Sequence, residues 1–297
     1  MTRRRRAEQA LISVVATSYL RGVSTRRVDR LVEQLGVAHI SKSQVSELAR
    51  HLDGQVEAFR SRPLDAGPYR FVQADALTMK VREDGRVINV HCLLAVGVNG
   101  DGHREILGLD VVSSEDGAGW LAFFRGLVAR GLTGVRLVTS DAHAGLVASI
   151  GATSQPWVAT LVRTIFDQAD ATEVNAQFDR AVDGLAEKLP RAATHLEEAK
   201  ADVLAFTTYP REIWRQIWSS NPQERLNKEI RRRTDVVGIF PNREAIIRPV
   251  GAVLAEQHDE WIETHRYFGL EILAKTDPNE NPADTPEISV TTDALAA

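Results

Sequence analysis

The stretch Tyr69-Arg-Phe-Val-Gln-Ala-Asp75-Ala-Leu-Thr-Met-Lys-Val-Arg82 opens the β-rich part of this 297-residue chain. Two more β-rich runs follow at 87–98 and 103–112. They are joined by Asp84-Gly85 and by Asn99-Gly100-Asp101-Gly102, which are strong hairpin signals. The spacing therefore predicts three antiparallel strands in sequence order.

A helix and a further strand come next. Aromatic and aliphatic residues recur at helical spacing over 117–130, and the run Gly134-Val-Arg-Leu-Val-Thr-Ser-Asp141 reads as a buried strand. Three antiparallel strands, a helix and a strand that ends in an acidic residue follow the order of a ribonuclease H-like core. The predicted fold class is α+β.

The rest of the chain divides by composition and periodicity. Helix-turn-helix-like helices precede the β-rich part, and a largely helical insertion interrupts the core. The predicted organisation is a helical DNA-binding region at 1–62, the first part of the core at 69–150, a helical insertion at 151–218, the C-terminal part of the core with a basic helix at 219–274, and a disordered tail at 275–297.

The N-terminal helices follow the pattern helix, Gly-containing turn, helix. Residues 24–34 form the first of this pair, and the second begins at Ser41-Lys-Ser43. A plain three-helix cap fits this pattern equally well, and only the arginines favour DNA. The residues expected at the DNA are Arg26, Arg27, Lys42 and Gln44.

Charge is unevenly distributed, although the net charge is only −4. Residues 1–30 contain eight arginines against two acids, and Arg225–Arg233 contains five bases against Glu229. Such clustering suits contact with nucleic acid. Cys92 is the single cysteine, which excludes a disulfide framework, and no stretch suits a membrane span or a signal peptide. The expected location is the cytoplasm, in association with the nucleoid.

Three acidic residues carry the chemistry. Asp75 and Asp141 each end a strand-like run, and Glu224 lies in the first turn of the basic helix 221–233. Two carboxylates at neighbouring strand ends and one on a later helix can hold two divalent metal ions. Such a pair of ions suits in-line attack on a phosphodiester. The sequence therefore predicts a metal-dependent reaction on nucleic acid.

Each acidic residue also has a simpler interpretation. Asp75 could merely terminate a strand, and Asp141 could be the N-cap of a following helix. Asn221 and Glu224 have the spacing of a capping box. Glu229 is a rival to Glu224, but the neighbouring bases make it a surface charge partner. From the residues alone, the capping role of Glu224 is preferred.

The face of the basic helix that carries Glu224 also carries polar and basic residues. Asn227, Lys228 and Arg231 follow Glu224 at helical spacing, so we expect them and Arg232 to contact phosphates. His143 lies two residues beyond Asp141 and is an auxiliary candidate for orienting a phosphate or water.

Five segments together resemble the Mutator-type transposases of bacterial insertion sequences, over roughly residues 7–275. These segments are Asp75-Ala-Leu-Thr, Gly108-Leu-Asp110, Ser140-Asp-Ala-His-Ala-Gly-Leu146, Glu224-Arg-Leu-Asn-Lys-Glu-Ile-Arg-Arg-Arg-Thr-Asp-Val-Val-Gly-Ile-Phe-Pro-Asn242 and Glu256-Gln-His-Asp-Glu-Trp261.

The resemblance implies a DDE transposase that cuts transposon ends and joins them to target DNA. It makes Asp75, Asp141 and Glu224 the catalytic residues and ligands of Mg²⁺, for which Mn²⁺ can substitute. It also reverses the choice at Glu224 from helix cap to third acid. The implied partners are terminal inverted repeats, target DNA and a second copy of the chain, with no membrane.

The chain departs from the family at two places. Relatives continue after the Asp141 segment through a strand with a Cys-x-x-His pair, whereas here Gly151-Ala-Thr-Ser-Gln-Pro156 enters the helical region directly. Relatives also have additional sequence before Met1. Impaired activity is therefore expected. The competing hypotheses are a non-catalytic remnant that binds terminal repeats as a repressor, and a ribonuclease H-like nuclease without transposition.

Overall fold

The computed structural model describes residues 42–140, 154–219, 221–235, 237–264 and 266–276, without the side chains of 42–49 and Gln155. This part of the chain forms two compact units. The first contains the described residues of 42–135 and 221–267, and the second those of 136–219 and 268–276. The predicted helices before residue 42 lie outside the described residues. The predicted disordered tail at 275–297 is wrong at its start, because Lys275 ends the last described helix and Thr276 is buried, and its remainder from residue 277 lies outside the described residues.

The elements alternate between the two units along the chain. The first unit opens with α1 (Lys42–Ser61), β1 (Phe71–Glu83), β2 (Arg86–Val98), β3 (Arg104–Val112) and α2 (Gly117–Ala129). The second contains β4 (Leu137–Thr139), α3 (Gln155–Phe166), α4 (Ala171–Ala186), α5 (Pro190–Glu198), α6 (Lys200–Val203) and α7 (Trp214–Trp218). The first resumes with α8 (Asn221–Thr234) and α9 (Glu244–Glu263), and the second ends with α10 (Leu270–Lys275).

The sheet of the first unit has β2 between β1 and β3, and both pairs are antiparallel. Glu83 pairs with Arg86, so the first hairpin turns through Asp84-Gly85 alone. These two turn residues have φ of 49° and 75°, the left-handed backbone that a two-residue hairpin turn requires. The predicted hairpin is therefore present, and the chain has the α+β character expected from the sequence.

Each face of this sheet is covered by helices. On one face, the odd-numbered apolar residues of β1 pack with α8 and α9. On the other face, residues of β2 and β3 pack with Phe123 and Leu127 of α2. The core of the first face includes Leu77, Met79, Val81, Cys92, Leu226, Ile230, Ile246, Val250 and Leu254.

Helix α9 packs closely against α1. A Cβ atom on Gly251 would lie 2.4 Å from Cγ1 of Val56, so only glycine allows this approach. Next to that contact, Arg248 donates from Nε and Nη2 to the two carboxylate oxygens of Asp53, at 2.6 and 2.8 Å. Both observations place α1 on α9, beyond the face that α9 shares with the sheet.

The segment after α8 returns to β1. The backbone N–H of Phe240 donates to the carbonyl of Lys80 at 2.9 Å, and the N–H of Arg82 donates to the carbonyl of Phe240 at 2.8 Å. Phe240 and Val81 thus form an isolated parallel bridge. The segment that follows α8 is therefore hydrogen-bonded to β1 at Phe240.

The second unit is mostly helical. Its core includes Phe178 and Leu185 of α4, which are fully buried. Aromatic pairs add to it: the rings of Phe206 and Trp214 lie 5.0 Å apart, edge to face. Among the described residues of the chain, no helix combines the length and the apolar character needed to cross a membrane.

Candidate active site

Asp75 lies inside β1 and does not end a strand, which corrects the expectation from the sequence. The strand continues to Glu83 because the residues after Asp75 keep a strict alternation: Leu77, Met79 and Val81 are buried, while the residues between them are more exposed. The backbone of Asp75 is therefore fixed, because the residues before and after it are also paired with β2.

The alternation of β1 also assigns Asp75 to one face of the sheet. Side chains two residues apart share a face, so Asp75 lies on the side of Leu77. Leu77 belongs to the core that contains Leu226 and Ile230 of α8. Asp75 is half-buried on the sheet face that α8 covers.

Two hydrogen bonds hold the Asp75 carboxylate. Oδ1 accepts the backbone N–H of Ala76 at 2.7 Å. Oδ2 accepts a hydrogen bond from Nδ2 of Asn227 on α8. This second bond joins residues 152 positions apart in the chain and brings α8 directly to the aspartate.

Glu224 lies one helical turn before Asn227, in the first turn of α8. Residues three apart on a helix are neighbours, with Cβ atoms about 5–6 Å apart. Glu224 is exposed, and Asn221 is the first residue of the helix. The two predicted acids Asp75 and Glu224 are thus linked through Asn227.

The chemistry of these groups suits a hard cation. Carboxylate and amide oxygens are the ligands that Mg²⁺ and Mn²⁺ prefer. Within the described ranges, no three His, Cys, Asp or Glu side chains cluster tightly enough to hold a metal. Asp141 and His143, the remaining predicted site residues, lie in the segment 141–153 outside the described residues.

The outward side of α8 is basic. Lys228 and Arg231 are exposed, and neither has an ion-pair partner among the residues that the structure describes. Arg232 instead binds Glu229, donating from Nη2 to Oε1 at 2.8 Å and from Nε to Oε2 at 3.0 Å. These bonds from Arg232, and a further one from Arg233, lower the pKa of Glu229. Glu229 is therefore the surface charge partner that the sequence indicated.

The predicted N-terminal DNA contacts are only partly visible. Arg26 and Arg27 lie outside the described residues. Lys42 and Gln44 belong to the first turn of α1, whose side chains are not described there. The helix itself begins where Ser41-Lys-Ser43 predicted it.

Sequence reasoning missed two features of the first unit. The first is the contact between Asn227 and Asp75, although helical spacing already placed Asn227 on the face of Glu224. The second is a buried polar group, the Glu105 cluster, whose members come from linker, strands and α9. No local pattern indicated the cluster, which consists of Arg62, Tyr69, Asn99, Glu105 and His258.

Glu105 is only 6% exposed, and each of its two carboxylate oxygens accepts a hydrogen bond. Oε2 accepts from the Tyr69 hydroxyl at 3.1 Å, and Oε1 accepts from Nδ2 of Asn99 at 2.6 Å. Nη2 of Arg62 lies 3.9 Å from Oε2. Burial, then the Arg62 charge, lowers the pKa of His258 to about 4, so its neutral ring accepts the backbone N–H of Ile106.

Comparison with known proteins identifies close relatives. The chain is 61% identical over 320 aligned positions to the transposase for insertion sequence element IS1081 of Mycobacterium tuberculosis, covering all of this chain and 77% of the relative. It is 36% identical to the transposase for ISRM5 of Rhizobium meliloti, over 91% of this chain and 74% of the relative. Identity is also 36% to the transposase for IS256 in transposon Tn4001 of Staphylococcus aureus, over 90% and 75%.

The first of these alignments has more positions than this chain has residues. Because 320 aligned positions exceed 297 residues by 23, at least 23 positions of the IS1081 relative have no counterpart here. The model of the family "Transposase, Mutator family" matches residues 1–156 and 152–264 as two segments. The two segments overlap at residues 152–156, where a strand of the relatives is expected to be missing. With most of its length matched, the chain belongs to the Mutator family of transposases.

Proposed function

We propose that this chain is a DDE-type transposase that cuts the ends of its insertion sequence and joins them to target DNA. Asp75, Asp141 and Glu224 are its catalytic acids. The core that carries them is ribonuclease H-like, and the helices before the sheet, including α1, form a helix-turn-helix-like DNA-binding region.

The hydrogen bond from Asn227 to Asp75 carries the proposal. It brings α8, and with it Glu224, to Asp75, a half-buried acidic residue that is held in a defined orientation on this face of β1. The arrangement is what two acids separated by about 150 residues require if they serve one site.

The reaction consists of two displacements at phosphorus. In the first, a water oxygen bonds to the phosphorus at the transposon end, and the bond to the 3′-oxygen breaks, leaving a 3′-hydroxyl. In the second, this hydroxyl oxygen bonds to a target phosphorus, and the target's own 3′-oxygen leaves. One phosphodiester is broken and one formed in the second step, so no covalent enzyme intermediate is needed.

Asp75, Asp141 and Glu224 would hold Mg²⁺, or Mn²⁺ in its place. When bound, two such ions stabilise negative charge on the attacking and leaving oxygens. The carboxylate oxygens of Asp75, which is half-buried on the sheet face that α8 covers, fit such a cation. The orientation of Asp75 is already set by its bonds to Ala76 and Asn227.

DNA contacts are assigned to the outward face of α8 and to the N-terminal helices. Lys228 and Arg231 offer exposed charges next to the acids, and Arg232 can exchange Glu229 for a phosphate. Arg26, Arg27, Lys42 and Gln44 are proposed to contact the terminal repeats. Two copies of the chain acting on paired ends form the proposed assembly.

The test is cleavage of a labelled duplex that carries the element's end, with Mg²⁺ or Mn²⁺ present. Asp75→Asn and Glu224→Gln should each lower the rate by about 10²-fold or more. The matched control is Asp101→Asn, because Asp101 is exposed in the turn before β3. Wild-type rates in Asp75→Asn and Glu224→Gln would contradict the assignment.

A non-catalytic remnant that binds terminal repeats and represses an intact element is the second candidate. The observation that favours it is the loss of at least 23 positions relative to the IS1081 protein. Salt-sensitive binding to the ends without cleavage by the wild-type chain would support this candidate. Cleavage without preference for the ends would instead indicate a ribonuclease H-like nuclease.

A further inference from the structure

We propose that Asn227 is the positioning residue for Asp75, which sets the orientation of that carboxylate for a divalent cation. This inference rests on the proposed function, since it names the residue that prepares one of the proposed metal ligands. It assigns Asn227 to the protein side of the site and not to phosphate contact. The distinction can be measured.

The two hydrogen bonds to Asp75 restrict it on both oxygens. A carboxylate has about four acceptor positions, two on each oxygen. The N–H of Ala76 occupies one on Oδ1, and Nδ2 of Asn227 occupies one on Oδ2. As far as the described residues go, one position on each oxygen stays available, in a side chain that the two donors keep from rotating. A ligand held in this way binds a metal without first losing conformational freedom.

The orientation of the Asn227 amide follows from its partner. A carboxylate only accepts, so the amide nitrogen must face Asp75 and the amide oxygen must face away from it. That oxygen is buried and has no hydrogen-bond partner among the described residues. A buried acceptor without a donor is uncommon in folded proteins, and such an oxygen can be satisfied by a water or an ion.

Gln223 adds an independent observation on the same side of α8. It precedes Asn227 by four residues, which places both on one face of the helix. Gln223 is 4% exposed, and neither atom of its amide has a partner within the described part of the chain. Two amides of this helix face, one of them bonded to Asp75, therefore have hydrogen-bonding atoms without a partner among the described residues.

The choice of an amide at position 227 has a physical reason. A lysine at this position would pair with Asp75 and compete with the metal. An aspartate would repel the Asp75 carboxylate in the absence of a cation. Asparagine donates to the carboxylate and still leaves its full negative charge for the cation. Alanine would leave Oδ2 without its donor and Asp75 able to rotate.

Mn²⁺ binding to the full-length chain tests this role without DNA or activity. Free Mn²⁺ is followed by its electron paramagnetic resonance signal during a titration, and Tm is measured with and without Mn²⁺. Asn227→Ala should raise the apparent Kd for Mn²⁺ about tenfold or more. Asn227→Asp, which keeps the shape, should lower the metal-free Tm and show a larger Mn²⁺-induced rise in Tm than the wild type.

Two reference variants make the outcome specific. Asn89→Ala, at an exposed position of β2, should leave the Kd for Mn²⁺ unchanged. Asp75→Asn should weaken Mn²⁺ binding if the proposed site is correct. If the Kd for Mn²⁺ is unchanged in Asn227→Ala but raised in Asp75→Asn, the positioning role of Asn227 is overturned and the proposed site is retained. An unchanged Kd in Asp75→Asn overturns the proposed site, and the role of Asn227 with it.

Discussion

The carboxylates of Asp75 and Glu105 belong to the same sheet but have opposite surroundings. Glu105 is buried, and its oxygens are satisfied by Tyr69 and Asn99, with Arg62 nearby. Asp75 is half-buried, and the amide that binds it has an oxygen with no partner in the described structure. We therefore expect the Glu105 cluster to stabilise the fold and, under the proposed function, Asp75 to serve a ligand.

The strongest test of this contrast is the removal of the Glu105 carboxylate. Glu105→Ala leaves the buried Tyr69 hydroxyl and Asn99 amide without their acceptor and the half-buried Arg62 without its nearest carboxylate, so the free energy of unfolding should fall by about 3–5 kcal/mol. Urea unfolding followed by circular dichroism measures it. Glu263→Ala, at the exposed end of α9, should stay close to wild type. A loss in Glu105→Ala no larger than in this control would show that the cluster contributes little to folding.

Restoring the segment that is expected to be missing should change the activity of the proposed site at Asp75 and leave the Glu105 cluster unchanged. When the segment expected to be missing near Gly151–Pro156 is inserted from the IS1081 relative, cleavage of the element's ends should increase by about 10²-fold. A ligand displaced by about 1 Å costs a rate factor of that size. Glu224→Gln in the restored chain should abolish the gain. Full transposition by the 297-residue chain itself would contradict the prediction of impaired activity.

The Glu105 cluster should also make stability depend on pH through His258. Its pKa is about 4 in the folded protein and near 6.5 in the unfolded chain. Between these values the unfolded state binds more protons, so stability is full above pH 6.5 and falls as pH drops toward 4.

At pH 5 the loss should be on the order of 1 kcal/mol, since solvent screening reduces the effect. His258→Gln retains an acceptor for the Ile106 N–H and should flatten this dependence. Unfolding free energies measured at pH 7 and pH 5 give the comparison. An equal slope in both proteins would assign the pH dependence to other groups.

The smallest stability change is expected at Asp75. Asp75→Asn keeps an oxygen that can accept from Ala76 or Asn227, so the free energy of unfolding should change by less than about 1 kcal/mol. Thermal and urea unfolding test this on the same preparation used for cleavage. A loss as large as that of Glu105→Ala would remove the distinction between the two carboxylates.

Local sequence patterns predicted the elements around the site well. The turn at Asp84-Gly85 and the strands beside it follow from two-residue periodicity and from the backbone that these turn residues tolerate. The bounds of the first three strands differ from the observed ones by at most two residues. The strand predicted as buried from Gly134 is shorter, Leu137–Thr139, and Val138 is exposed. Asp75 was assigned to a strand end because the apolar run before it hid the alternation that continues to Val81.

The contacts of the site could not be predicted in the same way. Helical spacing placed Asn227 beside Glu224, but which group that face contacts depends on how α8 packs on β1. The Glu105 cluster joins Arg62 to His258, which is 196 residues away. Hydrogen bonds over such separations follow from tertiary packing, and no periodicity within a single element indicates them.

The return of Phe240 to β1 has a mechanical consequence for α8. The helix is tied to one strand at two points: through Asn227 to Asp75 and, after its end, through Phe240 to Lys80 and Arg82. Sliding along the strand would break both ties together. A residue inserted into α8 after Asn227 would rotate the end of the helix by about 100° or displace one of the two contacts, Asn227 with Asp75 or Phe240 with β1. The length of α8 therefore fixes the position of Glu224 along β1.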